Sequence, residues 1–185
     1  MSNLFKLGDL LIADPSIIGD ETFHRAAVFI SAIHENSPMG FIINKPFDFP
    51  LSDVLPEINN DKFPLYFGGP VDNDLLFVMH NSSVFAANSQ PVNQEIYFSG
   101  EIEKVLIAIK EGILNQNNCR FFLGYSGWTS GQLEQEIKQK NWLTYSLKTK
   151  NIFQLDRLNL WRNTMKNKGN NYQLWANTPD NPRHN

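Results

Sequence analysis

The chain predicts an α+β domain built on a largely antiparallel sheet, and three observations carry that reading. The first hundred residues are short apolar or β-branched runs divided by turn residues. Helical periodicity begins only near residue 102. Strand–helix alternation, the mark of a parallel sheet, is scarce. At 185 residues the chain has the length of one domain. We draw that domain over 1–176 and treat 177–185, with two prolines and no apolar anchor, as a tail that is frayed or laid along the surface.

Strands are expected at Asp9–Ala13, Ala26–Ile33, Met39–Asn44, Pro64–Phe67, Leu75–His80, Val84–Ala87 and Ile96–Phe98. Turns at Asp14-Pro15, Ser37-Pro38, Lys45-Pro46, Gly68-Gly69-Pro70 and Asn88–Pro91 separate them. A helical turn is expected over Leu51–Ile58, capped by Ser52 or Asp53. Ile102, Val105, Leu106, Ile109 and Ile113 then recur at helical spacing, giving an amphipathic helix of about four turns. Ser99 is placed to cap it, and Glu101 and Glu103 suit the positive end of its dipole. A buried strand follows at Arg120–Tyr125, then a loop over Gly124–Gly131. A second helix passes through Leu133 and Ile137, with Thr129 and Gln132 at capping-box spacing. The last elements are a strand at Leu143–Leu147 and a helix from Leu155 to Lys168. That helix carries Leu158, Trp161 and Met165 on one face and stops at Gly169.

Composition excludes several function classes. The net charge of −3 leaves the whole molecule without an electrostatic footprint for nucleic acid or anionic membrane. The charge is uneven, however. Residues 1–133 hold 7 Lys/Arg against 15 Asp/Glu, a net of −8, and residues 134–168 hold 8 against 3, a net of +5. Lys138, Lys140, Lys148, Lys150, Arg157, Arg162, Lys166 and Lys168 are either the solvated face of helices or a face for an anionic partner. A single cysteine, Cys119, rules out an intramolecular disulfide and a Cys-based zinc site. No apolar run approaches the roughly 18 residues of a membrane helix, and Met1–Lys6 lacks a signal-peptide pattern. A cytoplasmic protein with no membrane contact and no cofactor is expected.

Six segments carry a family resemblance. They are LLIADPS (Leu10–Ser16), FHRAAVFISAIHE (Phe23–Glu35), MGFIINKP (Met39–Pro46), YFGGPV (Tyr66–Val71), FVMH (Phe77–His80) and LGYSGWTSGQLEQEI (Leu123–Ile137), the last followed by Trp142. In this order, over nearly the whole chain, they resemble the AlgH family, also called YqgE. The resemblance implies a bifurcated, largely antiparallel sheet with barrel-like curvature, flanked by helices. Members are often labelled transcriptional regulators through an association with alginate control. This chain departs from the family at Asp14, where Met is usual, at Pro38, and at Ser126, where Ala is commoner.

Candidate chemistry concentrates in the loops. Ser126 sits in a strand–turn–helix context, but G-x-S-x-G fails because Trp128 stands two residues on, and the family's Ala argues against a nucleophile. Gly124, Gly127 and Gly131 leave backbone N–H groups open before a helix. They serve either an anion or close packing. Neither G-x-x-x-x-G-K-S/T nor G-x-G-x-x-G is present, so no nucleotide site is read. His34 and His80 both end strands, and with Glu35, Asp72 or Asp74 they are the weak candidates for a metal; no pair has local ligand spacing. Arg25 and Lys45 are the cations to watch. They either grip a carboxylate or phosphate or close strand ends against an acid such as Asp20 or Asp48. Cys119 beside Arg120 is read as packing, and Trp128 as a pocket wall or a core anchor.

These readings combine into a non-catalytic binding module. Its cleft is expected to draw on Pro15, Arg25, Asn44, Lys45, Gly68, Gly69, Gly124, Ser126, Gly127 and Trp128, and to take a small anionic ligand or a segment of a protein partner. The first rival is a regulator that binds nucleic acid directly, although no helix-turn-helix is readable. The second is a hydrolase, for which no acid/base or nucleophile constellation is visible.

Overall fold

The computed structural model describes residues 4–17, 19–58, 63–99, 101–147, 152–169 and 171–178. Among these, nine strands form one sheet. They are β1 (Asp9–Ala13), β2 (Ala27–His34), β3 (Ser37–Ile42), β4 (Leu65–Phe67), β5 (Val71–His80), β6 (Gln90–Pro91), β7 (Tyr97–Ser99), β8 (Cys119–Gly127) and β9 (Trp142–Ser146). The helices are α1 (Ile102–Lys110), α2 (Gln132–Lys138), α3 (Leu160–Lys168) and α4 (Asn171–Asn177). The sheet runs β6-β7-β5-β8-β3-β2-β1-β9, with β4 on β8 beside that path. Every pairing is antiparallel except β4 with β8. The result is the expected α+β architecture, an antiparallel half-barrel with four helices packed about it.

The fork in this sheet lies at β8. Phe122 pairs with Phe77 of β5 on one edge and with Tyr66 of β4 on the other. The chain must therefore cross β8 between Phe67 and Val71, and Gly68 and Gly69 make the crossing. A Cβ on Gly68 would stand 2.1 Å from the Gly124 carbonyl oxygen, and one on Gly69 would stand 2.3 Å from the Tyr125 carbonyl. Gly124 has φ +65, and its own Cβ would meet the Gly69 oxygen at 2.5 Å. Only glycine lets two backbones pass this closely. Beyond the crossing β3 takes the edge of β8 at Met39↔Gly127 and Gly40↔Ser126. β4 is wedged where the two diverge, bonded to residues 45–47 through Phe67 N to Lys45 O and Phe47 N to Leu65 O, both 2.9 Å.

Both faces of the sheet are covered, so its strands read as continuous apolar runs rather than alternating ones. Alternate residues still go to different cores, as period-two geometry requires. Leu10, Ile12, Phe29, Phe41 and Phe122 face a central core with Trp161 and Met165 of α3. Leu11, Val28, Ile30 and Ile42 face Leu133 of α2. Phe121, Val78 and Leu65 face Val105 and Ala108 of α1. Phe41 holds the central core together, with Phe122 at 5.0 Å, Phe77 at 5.5 Å and Phe98 at 6.0 Å. Each such pair contributes about 0.5–1.5 kcal/mol beyond area burial. No helix among the described residues is long and apolar enough to cross a membrane.

Several local expectations are corrected. Residues 84–87 are not a strand: Phe85 inserts its ring into the α1 core, and Ala86–Asn88 form a 3-10 turn. The first hairpin turns at Glu35 and Asn36, both at positive φ (48 and 66), rather than at Ser37-Pro38. That is the geometry of a two-residue primed turn. Ser52 and Asp53 lie inside a 3-10 turn that Pro50 precedes, with no side-chain cap. α1 ends at Lys110, ahead of Gly112 at φ +73. Ser99 stands two residues ahead of the N-cap, Glu101, and its Oγ accepts from the Glu101 N–H (3.1 Å). Gln132 does reach back to the Thr129 N–H (3.0 Å), but Gly131 occupies the N-cap of α2. α3 begins only at Leu160, so Leu158 is exposed and off its buried face. Lys148, Lys150 and residues 179–185 lie outside the described residues.

Gly124→Ala is expected to destabilise by about 3 kcal/mol or more, adding a clash to a left-handed strain of roughly 1–2 kcal/mol. Gly112→Ala, at φ +73 with nothing within 4 Å of its Cβ, isolates the strain alone. Urea unfolding of the two variants should differ clearly; equal losses would dismiss the crossing as a constraint.

Candidate functional site

Three of the expected residues meet in one open cleft of about 290 Å³, lined by His24, Arg25, Asn44, Lys45, Leu158, Trp161 and Arg162. Its floor is where β2 and β3 run out of ladder. Ile43 N still bonds Ala27 O at 2.9 Å. At the next position the Asn44 side chain replaces the backbone. Its Oδ1 accepts from the Ala27 N–H (2.7 Å) and its Nδ2 donates to Arg25 O (2.9 Å). These two bonds hold Arg25 at φ 55, a left-handed conformation that costs a non-glycine residue about 1–3 kcal/mol. Asn44 is thus a positioning residue, and both of its polar ends are committed to that task.

The Arg25 guanidinium lies 4.9 Å over the Trp161 ring. Its Nη2 donates to the carbonyl (3.0 Å) and hydroxyl (2.6 Å) oxygens of Thr178, just past α4. Trp161 is itself fixed, its indole N–H donating to Ala13 O at 2.7 Å where β1 ends. Arg162 reaches the Ala176 carbonyl (3.2 Å). Lys45 is directed by the β4 ladder, and its Nζ donates to the carbonyls of Glu21 (3.0 Å) and Thr22 (2.7 Å). Burial pulls the Lys45 ammonium below its usual range, opposed by the Asp20 carboxylate. The strand-closing role foreseen for Lys45 is therefore met by backbone carbonyls, with Asp20 contributing only its field. Among the described residues no carboxylate lines the cleft.

The other expected residues lie elsewhere. Gly68, Gly69 and Gly124 form the crossing on β8. Ser126 is fully buried there and its Oγ donates to Gly68 O (3.1 Å). Gly127 and Ser126 belong to β8 rather than to a loop ahead of α2, so their N–H groups do not converge at a helix start. Trp128 is a core anchor, 6.4 Å from the Phe23 ring and 5.9 Å from Trp142. The Glu136 carboxylate accepts from the indole N–H of both Trp128 (2.9 Å) and Trp142 (2.7 Å). Pro15 is buried in the turn after β1 and does not line the cleft. His24, Trp161 and Arg162 were missed as site residues. Arg162 carried a signal, as part of the basic stretch; Trp161 read only as core.

The remaining reactive groups lie apart from the cleft. His34 sits exposed beside the hairpin turn, whereas His80 is buried at the end of β5, with β8 and β3 between β5 and β2. Among the described residues no group of three or more His, Cys, Asp or Glu is placed to hold a metal. His80 Nδ1 accepts from the Ser82 N–H (3.2 Å), so the proton resides on Nε2, which donates to Ser89 Oγ (2.7 Å). That tautomer is wrong for a base acting on Ser89. Burial holds the imidazole down to about 4. It also pushes the Cys119 thiol up to about 12, outweighing Arg120, and the thiol donates to Asn115 O.

A family model described as AlgH-like matches residues 10–173. A UPF0301 protein of Cytophaga hutchinsonii is 33% identical over 177 residues, covering 95% of this chain and 97% of its own. One from Parabacteroides distasonis is also 33% identical, covering 97% and 96%. Among solved structures, the solution structure of AlgH from Pseudomonas aeruginosa is similar with a TM-score of 0.72 at 27% identity, over 98% of both chains. A crystal structure from Corynebacterium diphtheriae gives 0.75 at 22% identity, over 95% and 94%.

Two outcomes are expected. Asn44→Ala strands one buried donor and one buried acceptor and should cost about 2 kcal/mol in urea unfolding; Arg25→Gly in that background should recover part of it by relieving the positive φ. Separately, between pH 6.5 and about 4 the unfolded chain binds a proton that folded His80 refuses, so stability falls as pH drops through that window. The loss is on the order of 3 kcal/mol. His80→Gln should remove that part of the pH dependence of unfolding, and an unchanged profile would refute it.

Proposed function

We propose that this chain, which belongs to the AlgH-like family, is a non-catalytic binding module of regulatory kind whose Arg25 cleft takes a small anion. The observation that carries this reading is the strained Arg25, held by Asn44 in a cleft lined, among the described residues, by three further basic or imidazole side chains. Backbone strain that the surroundings over-determine is concentrated at binding and switch positions. Thr178 supports the same reading, since its carbonyl and hydroxyl place two oxygens on one guanidinium nitrogen. An incoming phosphate or carboxylate offers the same oxygens with charge added, and charge-assisted bonds are roughly twice as strong. The ligand would exchange with Thr178, so α4 would report occupancy. A cytoplasmic setting fits a chain whose one thiol is buried and protonated.

Direct nucleic-acid binding is less favoured. α1 and α2 are separated by β8 rather than by a short turn. Of the basic stretch, Arg157 stacks on Tyr66 and Arg162 turns to Ala176. A hydrolase has less support still, because Ser126 and Ser89 both lack an activating base.

A thermal-shift panel of carboxylates, phosphorylated metabolites, nucleotides and short nucleic acids tests the proposal. A ligand at a hundred times its Kd adds about 2.7 kcal/mol, roughly 5–10 °C in Tm for a domain of this size. A small anion should give that shift, and Arg25→Ala and Lys45→Ala should each weaken it by tenfold or more. Affinity untouched in both variants would sink the reading, and a shift confined to nucleic acid, falling steeply with salt, would favour the rival.

A further inference from the structure

Away from the cleft, two guanidiniums gather about one tyrosine, Tyr66. Arg120 of β8 is only 8% exposed. Its Nη1 donates to the carbonyls of Gln116 and Cys119 and its Nη2 to Phe153 O (3.1 Å), while its plane lies 5.4 Å over the Phe153 ring. Arg157 stacks 4.9 Å over the ring of Tyr66, a buried residue of β4. The Tyr66 phenol and the Arg157 charge both act on Arg120. Burial holds both guanidiniums below their usual range, and Arg157 lowers Arg120 further.

The partners of Arg120 are all neutral, three carbonyls, the Phe153 ring and the Tyr66 hydroxyl, and among the described residues no carboxylate acts on either guanidinium. Asp156, the sequence neighbour of Arg157, is exposed and bonded to Asn159. The Arg120 Nε–H is buried with no hydrogen-bond partner. Two desolvated like charges and an orphaned buried donor make an unfavourable arrangement, and a counter-anion would relieve it.

We propose that Arg120, Arg157 and the Tyr66 hydroxyl form a second anion site, distinct from the Arg25 cleft, and that its ligand is a phosphate group, free or as a monoester. A carboxylate would leave one of the two positive charges uncompensated. A phosphate dianion balances both and has oxygens enough for the Arg120 Nε–H, a fork from Arg157 and the phenol.

The test follows the Arg120 Nε–H resonance of the full chain by NMR while inorganic phosphate, or glycerol phosphate in a parallel series, is added at constant ionic strength. The expected result is a saturable shift with a Kd of about 1 mM or tighter. Arg157→Gln should weaken it at least tenfold, and Arg157→Lys, which keeps the charge but loses the fork, should fall between. Arg25→Gln should leave the titration unchanged, which separates this site from the cleft whichever of the two fails. An Arg120 signal unmoved by both phosphates at about 10 mM, or one that shifts equally in Arg157→Gln, would overturn the proposal. A shift abolished by Arg25→Gln would assign the anion to the cleft instead.

Discussion

The passage of residues 68–69 across β8 at Gly124 is the constraint on which the rest of the architecture depends. Two backbone segments meet there within distances that no Cβ permits. Because the chain crosses, β4 and β5 occupy opposite edges of one strand, and β4 wedges β3 away from β8. The sheet therefore forks. One half packs on α1 and the other on α2, while α3 closes the concave side between them. Ser126 tightens the same point by bonding the Gly68 carbonyl, so its hydroxyl is structural here.

The fork also builds the candidate site. Wedging β4 between β8 and residues 45–47 continues the pairing past the end of β3, and that continuation points Lys45 at the carbonyls of Glu21 and Thr22. Asn44, one residue earlier, substitutes its amide for the missing ladder partner of β2 and in doing so fixes Arg25. A short segment, Arg157 to Arg162, then supplies Arg157 to Tyr66, Trp161 to Arg25 and Arg162 to the cleft rim. Cationic side chains from both ends of the chain thus converge on a protein whose overall charge is −3. The net figure conceals them because the acids lie mostly on exposed loops and helices.

Much of this was legible in the residues. Strands at Asp9–Ala13, Pro64–Phe67 and Arg120–Tyr125 were visible as apolar runs, and α1 as a periodic one, although β8 runs on to Gly127 where a loop was read. The Phe85 segment misled because a β-branched and aromatic run is the same signal whether it pairs or plugs a core; nothing local distinguishes the two. The first hairpin turn was missed because Ser-Pro is the stronger turn pattern, while Glu35 and Asn36 accept left-handed backbone only under the force of strand pairing on either side. Arg25, Asn44 and Lys45 were expected in one cleft with Pro15, Ser126, the glycines and Trp128, and only these three line a common one; the glycines and Trp128 were included because loops often carry function. They belong to the crossing and to a two-indole clamp on Glu136.

Local chemistry alone determined the fold class, the lack of a second cysteine for a disulfide, and which short-range cations and turn residues stood out. Each of these follows from periodicity, composition or the φ preference of single residues. Only the tertiary structure decided which side chains share a site. Trp161 and Arg162 lie well over a hundred residues from Arg25, and Arg120 and Arg157 come to the Tyr66 ring from different elements. Such meetings depend on strand order and on where one backbone may pass another, and those are properties of the whole sheet that no window of neighbouring residues encodes.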